Sequence, residues 1–114
     1  MKRIEAVVSR ARLERAFAAL KELDLGGITY FESKGMGEIP RQKVHSGRGT
    51  GTFTLEFNIN STIVVVVSDS MVNKVVDKIL ESTTSGVKGE GKIFVSSIDD
   101  VVDVGTKKRG EAAL

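Results

Sequence analysis

Residues 86–92 read GVKGEGK, a Gly-x-x-Gly-x-Gly-Lys spacing suited to phosphate chemistry. Glycines let successive backbone N–H groups turn toward one concavity, and a lysine beside them adds a positive charge. The spacing superficially matches a Walker A loop, but that loop follows a strand and opens a helix. Here a helical pattern precedes the glycines and a strand pattern follows them, so the Walker reading is rejected. A backbone anion cradle and a plain helix-ending turn both remain. Other reactive residues are sparse. His45 is the single histidine, and no visible motif supports it as a phosphohistidine. Asp99 and Asp100 would point to opposite faces of an extended chain, which suits the end of a strand better than an acid–base pair. Lys107, Lys108 and Arg109 form one modest basic run, expected as part of a solvated tail. With no cysteine, disulfides, thiolate metal sites and cysteine nucleophiles are excluded.

The elements that must position GVKGEGK follow from hydrophobic periodicity. Ile4, Ala6 and Val8 alternate with Arg3, Glu5 and Val7, a period of two that predicts a strand. Ser9 offers an N-cap to a helix whose stripe is Leu13, Ala16, Phe17, Leu20 and Leu23, ended by Asp24 to Gly27. Residues 28–33 (ITYFES) read as a second strand. Residues 34–53 are glycine-rich, hold the single proline and show no sustained apolar period, which predicts a long loop of the kind that works as a lid or binding element. Phe57 to Val67 ends in IVVVV, apolar on both faces and expected at the centre of a covered sheet. Ser68, Asp69 and Ser70 are placed to cap a second helix with the stripe Val72, Val75, Val76 and Ile79, stopped by Gly86 at the latest. Lys92 to Ile98 is the fourth strand, and Val101 to Val104 adds a short extended piece before a polar tail over 105–114.

The order β-α-β, long loop, β-α-β predicts an α+β, ferredoxin-like βαββαβ domain, with both helices on one face of a four-stranded antiparallel sheet. At 114 residues one domain, 1–114, is expected, with its long loop at about 37–54. Such a sheet leaves one face uncovered although the third strand is apolar on both, so a homo-oligomer is expected to bury it. The formal net charge of +2, with one modest basic cluster, is too small to imply a nucleic-acid or membrane surface, and no nucleic-acid partner is expected. No apolar run approaches the ~20 residues that span a bilayer, so a soluble, cytoplasmic protein is expected.

Four stretches, in order, carry a resemblance. KGMG at 34–37 followed by RQK at 41–43, GEGKIFV at 89–95, the opening KRIEAVV and the final RGEAAL resemble the nitrogen-regulatory PII signal-transduction family. The resemblance spans the whole chain, with a small net gain in the long loop. It implies homotrimers of ferredoxin-like subunits that bind ATP or ADP in clefts between subunits, often with 2-oxoglutarate. On it, Ile28, Thr29 and Val66 surround the adenine, while Gly37, Arg41, Gln42, Gly89, Glu90, Gly91 and Lys92 lie around the phosphates. The implied ligand is an adenine nucleotide (ATP, ADP or AMP), with Mg accompanying ATP, and the implied role is regulation rather than catalysis. The long loop would control a membrane transporter or a metabolic enzyme. Arg48 and Gly49 resemble the loop-tip pair that some members insert into an ammonium transporter.

The chain departs from that family at several positions. Asp103 and Gly105 stand where arginines usually reach the polyphosphate. Each lost charge-assisted bond costs ~1.5–3 kcal/mol, a large share of the roughly 8 kcal/mol of a micromolar affinity. Lys107 and Lys108 would compensate in part if the tail folds back. For 2-oxoglutarate, Gln42 follows an inserted Glu38-Ile39-Pro40, and Asn60 replaces a lysine at the foot of the third strand, so the dicarboxylate loses its cation. Thr52 or Phe53 occupies the place of a modified tyrosine, which excludes uridylylation there. Two other readings stay open: a trimeric adaptor of this architecture without nucleotide binding, and a small ferredoxin-like acyl- or phosphoryl-transfer enzyme.

Overall fold

The computed structural model describes residues 1–37, 43–45, 52–54, 57–86, 88 and 90–114, with 43–45 and 52–54 described by their backbone. Arg41, Gln42, Arg48, Gly49 and Gly89, singled out from the sequence, lie outside the described residues, as do Ser46 and Thr50.

Strand β1 (Lys2–Ser9) buries Ile4, Ala6 and Val8 on one face and turns Arg3, Glu5 and Val7 to the other, as its alternation requires. A 3-10 turn at Arg10–Arg12 leads into helix α1 (Leu13–Lys21), where Ala16 and Leu20 are fully buried and Leu13 and Leu23 pack partly against the core. Phe17 meets Tyr30 edge to face, with ring centroids 5.0 Å apart. The remaining strands are β2 (Thr29–Gly35), β3 (Lys43–His45), β4 (Thr52–Thr54), β5 (Asn58–Val67) and β6 (Lys92–Ser97), with helix α2 (Val72–Thr83) between β5 and β6.

The main sheet is antiparallel in the order β2-β5-β1-β6. Each βαβ unit therefore has an antiparallel strand inserted between its own two strands, which makes this an α+β, ferredoxin-like fold. Strand β5 is central, as its double-sided apolar run predicts. Register pairs Ile4 with Val65 and Ala6 with Ile63, so one face carries Ile4, Ala6, Val8, Ile63, Val65 and Val67. Ala16 and Leu20 of α1 and Val75 and Ile79 of α2 close this core. The same register puts Val7, Phe31, Val64, Val66 and Phe94 on the opposite face, where Phe31 is 48% and Phe94 54% exposed.

Three local expectations change. Neither Ser9 nor Ser68 makes a side-chain capping bond, because a 3-10 turn separates each from its α-helix, leaving Arg12 and Met71 at the N-cap positions. Asp69 instead accepts from the Met1 ammonium at 2.9 Å. The segment read as one loop over 34–53 contains the end of β2 and a paired ribbon, β3 against β4. Three-residue strands are too short to show a period in sequence. The tail at 105–114 folds back: the Asp103 N–H donates to the Lys108 carbonyl, and the Gly110 N–H to that of Val101. A 3-10 turn at Gly110–Ala113 follows.

Candidate functional site

The glycine segment joins the end of α2 to the start of β6, and close backbone packing constrains it at Gly91. A Cβ at Gly91 would stand 2.5 Å from the Val7 carbonyl oxygen, so the chain here passes too near β1 for any side chain. Gly86 has a φ of 83°, which lets the chain turn away after α2. Lys92 follows at once, exposed and paired in register with Val7, so its side chain belongs to the open sheet face. Packing against β1 thus accounts for Gly91, and Lys92 adds a positive charge where the segment enters β6.

Glu90 is directed elsewhere. Its carboxylate accepts from Arg12 Nη2 at 2.9 Å, while Arg12 Nη1 donates to the Thr83 carbonyl at 2.7 Å. Both side chains are mostly shielded from solvent. The acidic member of GVKGEGK is thereby paired on the helix side of the sheet. A hollow of about 530 Å³ lies on that side, floored by Val8, Val76, Leu80 and Ile93 and bordered by Arg12 and Lys88.

The other described residues singled out from the sequence lie on or toward the β2 side of the sheet. Ile28 packs against the core just before β2, Thr29 opens β2 opposite Val64, and Gly37 follows the end of β2. Val66 sits on β5 opposite Arg3. Since β2 and β6 are the two edges of the sheet, Thr29 and Lys92 are three strand spacings apart, about 14 Å across the strands alone, with β5 and β1 between them and two residues of offset along them. One chain brings Glu90, Gly91 and Lys92 together, and Ile28 close to Thr29, but does not join the two groups.

At the foot of β5, Asn60 lies between Ser9 and Ser33 in register, a neutral polar setting. A Cβ at Gly35 would come within 2.9 Å of Asn60 Nδ2, so a larger residue there would have to displace the Asn60 amide. Asp103 serves its own turn: one carboxylate oxygen accepts from the Thr106 N–H at 2.8 Å and its hydroxyl at 2.6 Å. These donors hold the Asp103 carboxyl below the ordinary value for an aspartate. Lys107, at a φ of 64°, and Lys108 are exposed on the same hairpin, and Arg109 pairs with Asp100. Among the described residues, no three His, Asp or Glu side chains converge as a metal site.

Sequence reasoning missed Arg12 and Val7. Arg12 precedes the α1 stripe as one more surface charge, and its partners Thr83 and Glu90 are remote in sequence. Val7 read as an outer-face strand residue, whereas its carbonyl is what makes Gly91 obligatory.

A family model described as Nitrogen regulatory protein P-II matches residues 1–108. Curated proteins called nitrogen regulatory protein P-II from Bradyrhizobium diazoefficiens and Azospirillum brasilense are each 36% identical to this chain over 115 residues. That from Mesorhizobium japonicum is 37% identical over 115 residues. Each alignment covers 100% of both proteins.

Proposed function

The chain belongs to the nitrogen regulatory protein P-II family, and on that premise we propose that it is a signal-transduction protein that senses an adenine nucleotide across a subunit junction. The division of the candidate residues between opposite sheet edges carries this reading. Ile28, Thr29 and Val66 on one copy and Gly91 and Lys92 on another, with only the backbone of Glu90, complete one site when the β2 side of the first meets the β6 edge of the second. A homotrimer closes such junctions in a ring and covers the open face. The backbone of Gly89 to Gly91 and the Lys92 ammonium then take the phosphates, and Gly37, Arg41 and Gln42 close over them. A nucleotide shifts the long loop by binding one loop conformation better than another, and the loop, with Arg48 and Gly49, carries that state to a transporter or enzyme. Mg enters with ATP, held by the phosphates.

The back-folded hairpin bears on the missing arginines. Asp103 spends its carboxylate on Thr106, which lessens its repulsion toward a phosphate, and Lys107 and Lys108 project from the same turn. Affinity is therefore shifted rather than abolished, and the neutral surroundings of Asn60 leave 2-oxoglutarate without a strong anchor. The adaptor reading without nucleotide is favoured by the absence of both arginines.

Isothermal titration with ATP, ADP and AMP, with and without Mg and 2-oxoglutarate, separates the two. We expect saturable nucleotide binding, weakened about tenfold or more in Lys92→Ala, and no 2-oxoglutarate response. Binding of none of the three nucleotides by the wild-type protein transfers the assignment to the adaptor.

A further inference from the structure

The glycine segment contains a single acidic residue, Glu90, in a stretch otherwise suited to anions. An unpaired carboxylate a few ångströms from a phosphate would oppose binding. The Arg12 guanidinium bridges this carboxylate, at 2.9 Å, to the Thr83 carbonyl at the end of α2, at 2.7 Å. Three elements thus meet at one side chain: the 3-10 turn after β1, the last turn of α2 and the glycine segment. An exposed ion pair contributes little, but this pair is mostly shielded, with relative side-chain exposures of 27% and 23%, and is anchored to a backbone carbonyl. The two ends of one planar fork serve two partners, an arrangement that a lysine cannot reproduce.

We propose that Arg12 is the positioning residue of the glycine segment. By holding Glu90 against the end of α2, it fixes the backbone at Glu90 and Gly91 and turns the segment's negative charge away from the phosphate side. The proposal rests on the phosphate reading of this segment and adds a residue that touches no ligand. It also makes the end of α2 a place from which the site can be adjusted, since a displacement of the Thr83 carbonyl moves Arg12 and therefore Glu90.

The test uses the full chain with Arg12→Ala, Arg12→Lys, Glu90→Ala and the double variant Arg12→Ala/Glu90→Ala. Amide hydrogen exchange over residues 84–92, measured without nucleotide, reads the segment directly. ADP titration reads its use. Arg12→Ala is expected to speed exchange in this segment about tenfold or more, leaving β1 and β5 protected, and to weaken ADP about tenfold. Arg12→Lys recovers only part of either. Glu90→Ala loosens the segment without exposing a carboxylate, so its ADP loss is smaller than that of Arg12→Ala. The double variant returns to the Glu90→Ala level, because Arg12 acts through Glu90. Unchanged exchange in both single variants, or ADP losses that simply add in the double variant, overturns the proposal. If the wild-type protein binds no nucleotide, the phosphate reading fails, and the exchange data alone then decide whether Arg12 sets the segment. Glu90→Ala approaches the contact from its other side, which keeps the test decisive if Arg12→Ala folds poorly.

Discussion

Asp103 shows how one side chain can look like a defect in sequence and act as a structural part in space. As a carboxylate where a cation is usual, it reads as an obstacle to anions, but Thr106 occupies it with two donors and so closes the turn that carries Lys107 and Lys108. The same donors keep its carboxyl below the ordinary 3.8. A folded-state value that is depressed contributes stability above the unfolded value and loses it as pH falls through the folded one. Carbon-detected titration should therefore place the Asp103 midpoint below 3.8, and Asp103→Ala should flatten the dependence of stability on acid pH in that window. Of the candidate residues, Gly91 and Lys92 stand out in sequence by type alone, although the packing against Val7 that requires Gly91 does not. The direction of Glu90 was not legible, because it depends on Arg12 and Thr83, which only the tertiary fold brings beside it.

The helices and central strands were legible because their burial repeats at the period of the element. Val72, Val75, Val76 and Ile79 predict the inner stripe of α2, and Val75 and Ile79 prove fully buried while Val72 and Val76 border the core. Ile79→Ala removes a buried side chain at the junction of both helices and the sheet, and should cost about 2–5 kcal/mol, read as a lower urea midpoint with an unchanged slope. The ends of elements were less legible. Gly86 marks the latest stop for α2, but the helix ends at Thr83. There the Ser82 and Thr83 hydroxyls both donate back to the Ile79 carbonyl, at 2.9 and 2.6 Å, competing locally with the helical backbone. Hydroxyl rotamers and 3-10 turns leave no period, which is why the serine caps were misplaced and the β3–β4 ribbon was read as loop.

At the scale of the whole molecule, the open sheet face is the feature that asks for a partner. Val7, Phe31, Val64, Val66 and Phe94 share it, and a charge placed among them should be intolerable only if other copies cover it. Light scattering after size exclusion should find the wild-type protein at three times the chain mass and Val64→Asp at the mass of one chain. A folded Val64→Asp protein that remains trimeric would place the contact on another surface. Uncovered apolar residues in an ordered sheet are visible from sequence, but the edge that meets another edge is not, since strand order is a property of the closed fold. If the proposed site forms between copies, the separation of Thr29 from Lys92 across that sheet has a further consequence. A ligand held by opposite edges of two copies also binds those copies to each other, so ligand concentration and protein abundance enter the same equilibrium. Dilution then weakens the response without altering a single contact, and the number of molecules in the compartment becomes a second quantity that the sensor reports.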